Sequence, residues 1–176
     1  MVFSNRKYAV FKATLADKLN IQIRLALLAD APAIASVLRD SFIEYQSAYT
    51  DDGFRATTPN DDEIRKRMTE GPAWVALHAD TIVGTASAIS KGGALYIRGM
   101  AVLPSARGQR IGELLLRQIQ TFAVSQGFKG LLLSTTPFLT RAIQLYERSG
   151  FQKTDEGPHD LFGTPLFTME KNLSNQ

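Results

Sequence analysis

The stretch 98–116, RGMAVLPSARGQRIGELLL, places the tightest constraint on this chain. A short apolar run, Met100, Ala101, Val102 and Leu103, stops at Pro104, and a loop follows in which Gly108 and Gly112 punctuate basic and polar residues. From Ile111 the apolar positions fall at Leu114, Leu115, Ile119, Phe122 and Ala123, the spacing of one buried helical face. The order is strand, basic glycine loop, helix. The first turn of a helix leaves backbone N–H groups without partners, and with the positive end of the helix dipole they make a site for an anion. Arg107, Arg110 and Arg117 add formal charge, opposed only by Glu113. The sequence proposes a phosphate cradle.

Spacing decides which kind. A nucleotide P-loop needs a glycine four residues before Gly-Lys-Ser/Thr, and the dinucleotide fingerprint needs Gly-x-Gly-x-x-Gly; neither is present. RGQRIG instead resembles the pyrophosphate-binding motif of the GNAT N-acetyltransferase superfamily, Arg/Gln-x-x-Gly-x-Gly/Ala, with Arg107 and Gly112 at its first and last positions. The resemblance implies acetyl-coenzyme A as co-substrate. Its pantetheine arm would lie against Met100, Ala101 and Val102, and its pyrophosphate on Arg107, Gly108, Gln109, Arg110, Ile111 and Gly112. The departure is Arg110, where the family usually has glycine. A residue in the first helical turn has negative φ, so arginine is expected there without strain and with a guanidinium to offer phosphate. The competing interpretation is a basic loop that merely caps a surface helix.

With 176 residues, the chain suits one domain. A hydrophobic fraction of 44% and a mean hydropathy of −0.09 fit a globular protein, and no run approaches a membrane span. The pI of 9.3 invites a nucleic-acid partner, but the net charge of +3 is concentrated at the N-terminus. Residues 1–24 hold five Lys/Arg and one Asp, leaving 15 basic and 16 acidic residues for the remainder. No sustained basic face with interleaved aromatics is present, so no nucleic-acid partner is expected. Cysteine is absent, which excludes thiolate chemistry, and His78 and His159 lack ligand spacing, so no metal is expected. Residues 1–20 are basic without a secretory core and are expected to be an N-terminal extension, with a cytoplasmic location.

A first strand is expected over Ile21 to Leu25, then a helix behind an Asp30 N-cap with Pro32 in its first turn. TDDGFRATTPN is expected as a loop, followed by a helix from Asp61 to Glu70 with Asn60 and Glu63 at capping-box spacing. Ala73–Ala79 and Thr81–Ser90 suggest a hairpin, and Ala94–Val102 a further strand whose Gly99 marks a bulge. After the Ile111 helix come a buried strand, Leu131 to Thr136, and a helix opened by Pro137 that carries Leu139, Ala142, Ile143 and Tyr146 on one face. Phe151–Thr154 and Leu166–Glu170 close the chain around the turn-rich EGPHDLFGTP. The order gives an α/β sheet of mixed strand directions with helices on both faces. It is also that of the GNAT fold, whose sheet is mostly antiparallel; the resemblance covers residues 21–173.

The segment AIQLYERSGF, Ala142 to Phe151, resembles the superfamily's second signature, a helix carrying Leu-Tyr that ends in Gly-Phe. On this resemblance Tyr146 is the general acid that protonates the departing thiolate, while a core tyrosine is the structural alternative. The strand position where many members carry a glutamate holds Tyr96, with Arg98 nearby. Glu44, Asp51, Asp52 and His159 border the acceptor region in the family and are the remaining candidates for a base. Asp40 to Glu63 combines Phe42, Tyr45, Tyr49 and Phe54 with seven carboxylates, a composition that suits a cationic acceptor.

The leading expectation is an enzyme that moves an acetyl group from acetyl-coenzyme A to a primary amine, small molecule or peptide, by direct attack. The alternative is a silent acyl-coenzyme A sensor of the same fold, and a third is a nucleotide-binding α/β protein. Oligomeric state stays open, a homodimer being one option.

Overall fold

Apolar residues on alternate positions of the central strands feed two cores, one on each face of a single sheet. In the computed structural model, which describes residues 20–157 and 159–173, the strands are β1 (Ile21–Leu25), β2 (Ala73–His78), β3 (Thr81–Lys91), β4 (Ala94–Val102), β5 (Gly130–Thr135), β6 (Gln152–Lys153), β7 (His159–Leu161) and β8 (Thr164–Asn172). The α-helices are α1 (Ala31–Phe42), α2 (Asp51–Thr57), α3 (Asp61–Glu70), α4 (Ile111–Ser125) and α5 (Thr140–Arg148). The strand order is β1-β2-β3-β4-β5-β8-β6, with β7 paired to β8. Every neighbouring pair is antiparallel except β4 and β5, which run parallel. The expected N-terminal extension, apart from Asn20, lies outside the described residues.

On one face Ala31, Ile34, Val37 and Leu38 of α1 and Ile64 of α3 pack on Val75 and Ala101. On the other, Ile111, Leu115 and Ile119 of α4 pack with Trp74, Leu95, Ile97, Leu131 and Leu133, joined by Tyr146 of α5. Trp74 meets Phe122 edge-to-face at 5.3 Å between ring centroids.

The parallel pairing of β4 with β5 covers only Leu95–Ile97 against Leu131–Leu133. Past it the two strands diverge, because β4 carries an extra residue: Thr85 and Ser87 of β3 face Ala101 and Arg98 of β4. Gly99, with φ of +59°, makes that bulge at little cost, as the sequence predicts. The result is a split in the middle of the sheet.

Several local expectations fail for identifiable reasons. TDDGFRATTPN is not all loop, since α2 forms in it: the Thr50 hydroxyl accepts from the Gly53 amide at 3.1 Å, and the Thr50 amide donates to Thr164 Oγ1 at 3.0 Å. Pro137 does not open α5; the chain turns first, with the Leu139 amide on the Thr136 carbonyl, and the helix begins at Thr140. The turn-rich segment before β8 contains a hairpin of β7 and β8. Asp30 makes no side-chain cap for α1; its carboxylate instead takes Arg24 at 2.7 and 3.0 Å and the Leu27 amide at 2.7 Å. The capping box of α3 is present, with Asn60 and Glu63 exchanging hydrogen bonds of 2.8 and 3.0 Å.

Candidate active site

A cavity of about 650 Å³ occupies the split between β4 and β5. Its mouth on the α4 face is the loop before that helix. The Arg107 amide donates to the Pro104 carbonyl at 3.3 Å, but among the described residues none accepts from the backbone amides of residues 108–113. A Cβ placed on Gly108 would meet nothing within 4 Å, so this part of the loop is open to a ligand. A Cβ on Gly112 would come within 2.6 Å of Leu145 Cδ2, so glycine lets α4 and α5 approach beside the loop.

The cavity is also where the unsatisfied polar groups collect. Four buried side-chain polar atoms lack a hydrogen-bond partner among the described residues: Ser41 Oγ, Arg98 Nε, Thr135 Oγ1 and Thr136 Oγ1. All four residues line this cavity. Buried donors and acceptors are almost always paired, so their concentration in one cavity marks it as a place where a polar ligand belongs.

The charged lining is one-sided. Arg67, Arg98, Arg107, Arg110, Arg141 and Arg148 contribute to it, against Glu113 as the one acidic residue. Three of these guanidinium groups are already engaged: Arg107 pairs with Glu44 and donates to the Ser41 carbonyl at 3.2 Å, Arg98 pairs with Glu70 at 2.5 Å, and Arg110 pairs with Glu113. Arg110 therefore turns along its own helix and does not fill the hollow. Its backbone overturns the expectation of negative φ: it is the N-cap of α4 and lies in the left-handed region, at φ +59° and ψ +19°.

Tyr146 projects from α5 into the cavity and is buried, with its ring 5.9 Å from that of Phe151. Burial, with a smaller contribution from nearby Tyr49, pushes its phenol up to about 12. Another stretch of the cavity wall is aromatic. Tyr45 stacks on Phe138 at 6.2 Å, and Tyr49 meets Phe138 edge-on at 4.9 Å and Phe42 at 6.5 Å. Burial raises the Tyr49 phenol, partly offset by the Thr136 and Thr57 hydroxyls beside it, although Thr136 Oγ1 lies outside hydrogen-bonding geometry.

A model of the acetyltransferase (GNAT) family matches residues 34–151. The chain belongs to the GNAT family. Its relatives include the uncharacterized N-acetyltransferase YjgM of Escherichia coli K12, 34% identical over 139 residues that cover 76% of this chain and 83% of that one. The IAA acetyltransferase of Azospirillum brasilense is 41% identical over 103 residues, 56% of this chain and 66% of that one. Among solved structures, the PaiA N-acetyltransferase of Thermoplasma acidophilum in complex with coenzyme A superposes with a TM-score of 0.74 at 18% identity, over 86% of this chain and 98% of that one. That likeness is one of fold.

Of the GNAT residues proposed from sequence, Met100, Ala101, Val102, Arg107, Gly108, Arg110, Ile111, Gly112 and Tyr146 line the cavity. Gln109 does not, and Arg117 lies in a separate hollow with Gln120, Arg148 and Lys171. None of the four candidate bases, Glu44, Asp51, Asp52 and His159, is part of the lining. The sequence reading missed Arg67, Thr135 and Thr136 of the lining, and Phe138, which packs behind it on Tyr45 and Tyr49. Only the β-branched pair Thr135 and Thr136, at the end of β5 and just after it, leaves a trace in the sequence, as polar residues following an apolar strand. Among the described residues no helix is long and apolar enough to cross a membrane, and among them no group of three or more His, Asp or Glu residues is placed to hold a metal.

Proposed function

We propose that the protein transfers an acetyl group from acetyl-coenzyme A to an amine by direct attack. The observation that carries this reading is the run of unpartnered amides over residues 108–113, at the mouth of a cavity lined by four orphaned polar atoms. Backbone N–H groups at a helix start suit the oxygens of a diphosphate. The open edge of β4 beyond Ile97, where β5 no longer pairs, leaves backbone groups free to hold an extended pantetheine chain and to steady the charge that develops on the attacked carbonyl. Acetyl-coenzyme A supplies the activated acyl group; the chain supplies its anchoring and alignment.

The amine nitrogen bonds to the acyl carbon, the carbon–sulfur bond breaks, and the thiolate takes a proton. Tyr146 is the proposed donor. A phenol held at about 12 stays protonated across ordinary pH, so the donor is always loaded. Complete transfer to a thiolate whose thiol has an ordinary pKa of about 8.5 is uphill by itself. The donation is therefore completed only as the proton shed by the nitrogen replaces the one given up. Among the described residues no carboxylate lines the cavity beside Phe42, Tyr45 and Tyr49 to take that proton first. The field of Arg67 and Arg98 performs a related task, because a positive surrounding favours the neutral, nucleophilic form of an amine.

Release of free thiol from acetyl-coenzyme A in the presence of an amine panel tests the reading and separates an enzyme from a silent acyl-coenzyme A sensor. Tyr146→Phe should lower kcat by about 10²-fold, the lower range for a general acid, with the KM for acetyl-coenzyme A nearly unchanged. An unaltered kcat would remove Tyr146 from the chemistry.

A further inference from the structure

The sequence composition around residues 40–63 suits a cationic acceptor, and the structure reverses that expectation. Of the seven carboxylates between Asp40 and Glu63, none lines the cavity, whereas Phe42, Tyr45 and Tyr49 from the same stretch do. Four of the seven are engaged elsewhere: Glu44 on Arg107, Asp52 on Arg55, Asp62 on Arg65, and Glu63 in the capping box. A polyamine or lysine side chain would meet aromatic rings and guanidinium groups there, with no counter-ion.

What the acceptor end offers is a cation in search of an anion. Arg67, half-buried on α3, donates to the Ala56 carbonyl at 2.9 Å and has no carboxylate within ion-pairing distance among the described residues. Its neighbours do not make up the deficit, since Glu70 is bound to Arg98 and Glu63 to the Asn60 amide. The Arg67 guanidinium sits at the bulge: a Cβ built on Gly99 would lie 3.8 Å from its Nη1. Arg98, next to Gly99, adds the buried Nε that no described residue satisfies. A buried donor left unmade costs about 1–3 kcal/mol, a deficit that a ligand oxygen would remove.

We propose that the acceptor is an α-amino acid with an aromatic or large apolar side chain. Its carboxylate sits on Arg67, beside Arg98, and its side chain sits against Tyr45, Tyr49 and Leu161. This deepens the acetyl-transfer reading and rests on it. The short reach from carboxylate to amine in an α-amino acid matches an anion anchor placed beside the bulge where β4 opens. A peptide N-terminus lacks that carboxylate, and so does a simple arylalkylamine.

The test compares L-phenylalanine, L-phenylalaninamide, phenethylamine and spermidine as acceptors, by thiol release from acetyl-coenzyme A, with the wild type and with Arg67→Gln and Arg67→Lys. The expected result is a kcat/KM for phenylalanine at least tenfold above that for its amide. Arg67→Gln should abolish this difference by lowering the acid alone, and Arg67→Lys should keep most of it. A thermal shift with coenzyme A shows whether each variant is folded and still binds the co-substrate; if Arg67→Gln does not fold, the wild-type ratio decides. Equal or faster reaction of the amide, phenethylamine or spermidine overturns the substrate assignment while leaving acetyl transfer standing. No thiol release with any amine, together with no thermal shift from the coenzyme, overturns both.

Discussion

Arg110 shows how much a single residue can hide. By its position in RGQRIG it is expected to enter the first helical turn, yet it caps that turn from the left-handed region at φ +59°. A side chain with a Cβ is disfavoured there by about 1–2 kcal/mol, and glycine is not. The exposed Arg110–Glu113 pair offsets only part of this, since such pairs contribute about 0.3–0.5 kcal/mol. Allowing for the greater freedom of glycine in the unfolded chain, Arg110→Gly should raise the melting temperature by about 2 °C. A fall in a thermal melt would mean that the ion pair outweighs the backbone strain. Tyr146 and the loop residues around Arg110 are legible in the sequence because local order and spacing carry them. Arg67 is not legible, because its meaning depends on α3 crossing above a bulge that lies 32 residues further along, at Gly99.

At the scale of elements, the junction between α3 and β2 shows where packing outweighs conformation. Gly71 is extended, with φ of 179°, a backbone any residue adopts. Its constraint is steric: a Cβ there would fall 2.1 Å from the Ala88 carbonyl oxygen, in a segment where the Ala88 amide already bonds the Pro72 carbonyl. A backbone atom of a central strand cannot give way as a side-chain tip can. Gly71→Ala should therefore destabilise the fold by about 3 kcal/mol in urea titration, the upper range for overpacking, whereas Gly92→Ala, with nothing within 4 Å of the added carbon but a φ of +56°, should lose only about 1–2 kcal/mol to left-handed strain. A loss below about 1 kcal/mol for Gly71→Ala would show that the strands slide apart easily. The elements that the sequence reveals, α3 with its capping box or α4 with its apolar stripe, are those whose signals are local. The two it conceals, α2 and β7, hold each other. Thr50 bonds the Phe162 carbonyl at 2.7 Å, and a Cβ on Gly53 would be 2.9 Å from the Leu161 carbonyl.

For the whole molecule, the sheet is two antiparallel units joined by one short parallel seam, and two buried phenols line the cavity in the split beyond that seam. The order of strands and helices can be read along the chain, but the split cannot, because it arises from pairing between strands. The buried phenols couple the seam to global stability. Tyr146 titrates near 10.0 when unfolded and is pushed up to about 12 when folded, and burial moves Tyr49 in the same direction. Below pH 10 both states keep the Tyr146 proton and its contribution is complete. Between pH 10 and 12 the unfolded chain releases a proton that the folded chain retains, so stability falls as pH rises, by about 1.4 kcal/mol per pH unit for each such group. Lys171, whose ammonium is pushed down by burial, works in the opposite sense in this alkaline range and is common to any tyrosine variant. Urea titrations of the wild type and Tyr146→Phe between pH 9 and pH 11.5 should show the variant losing less stability over the window, by roughly 2 kcal/mol. Parallel curves would mean that the Tyr146 hydroxyl is solvated through the open cavity, in which case its value as a retained proton donor would also have to be given up.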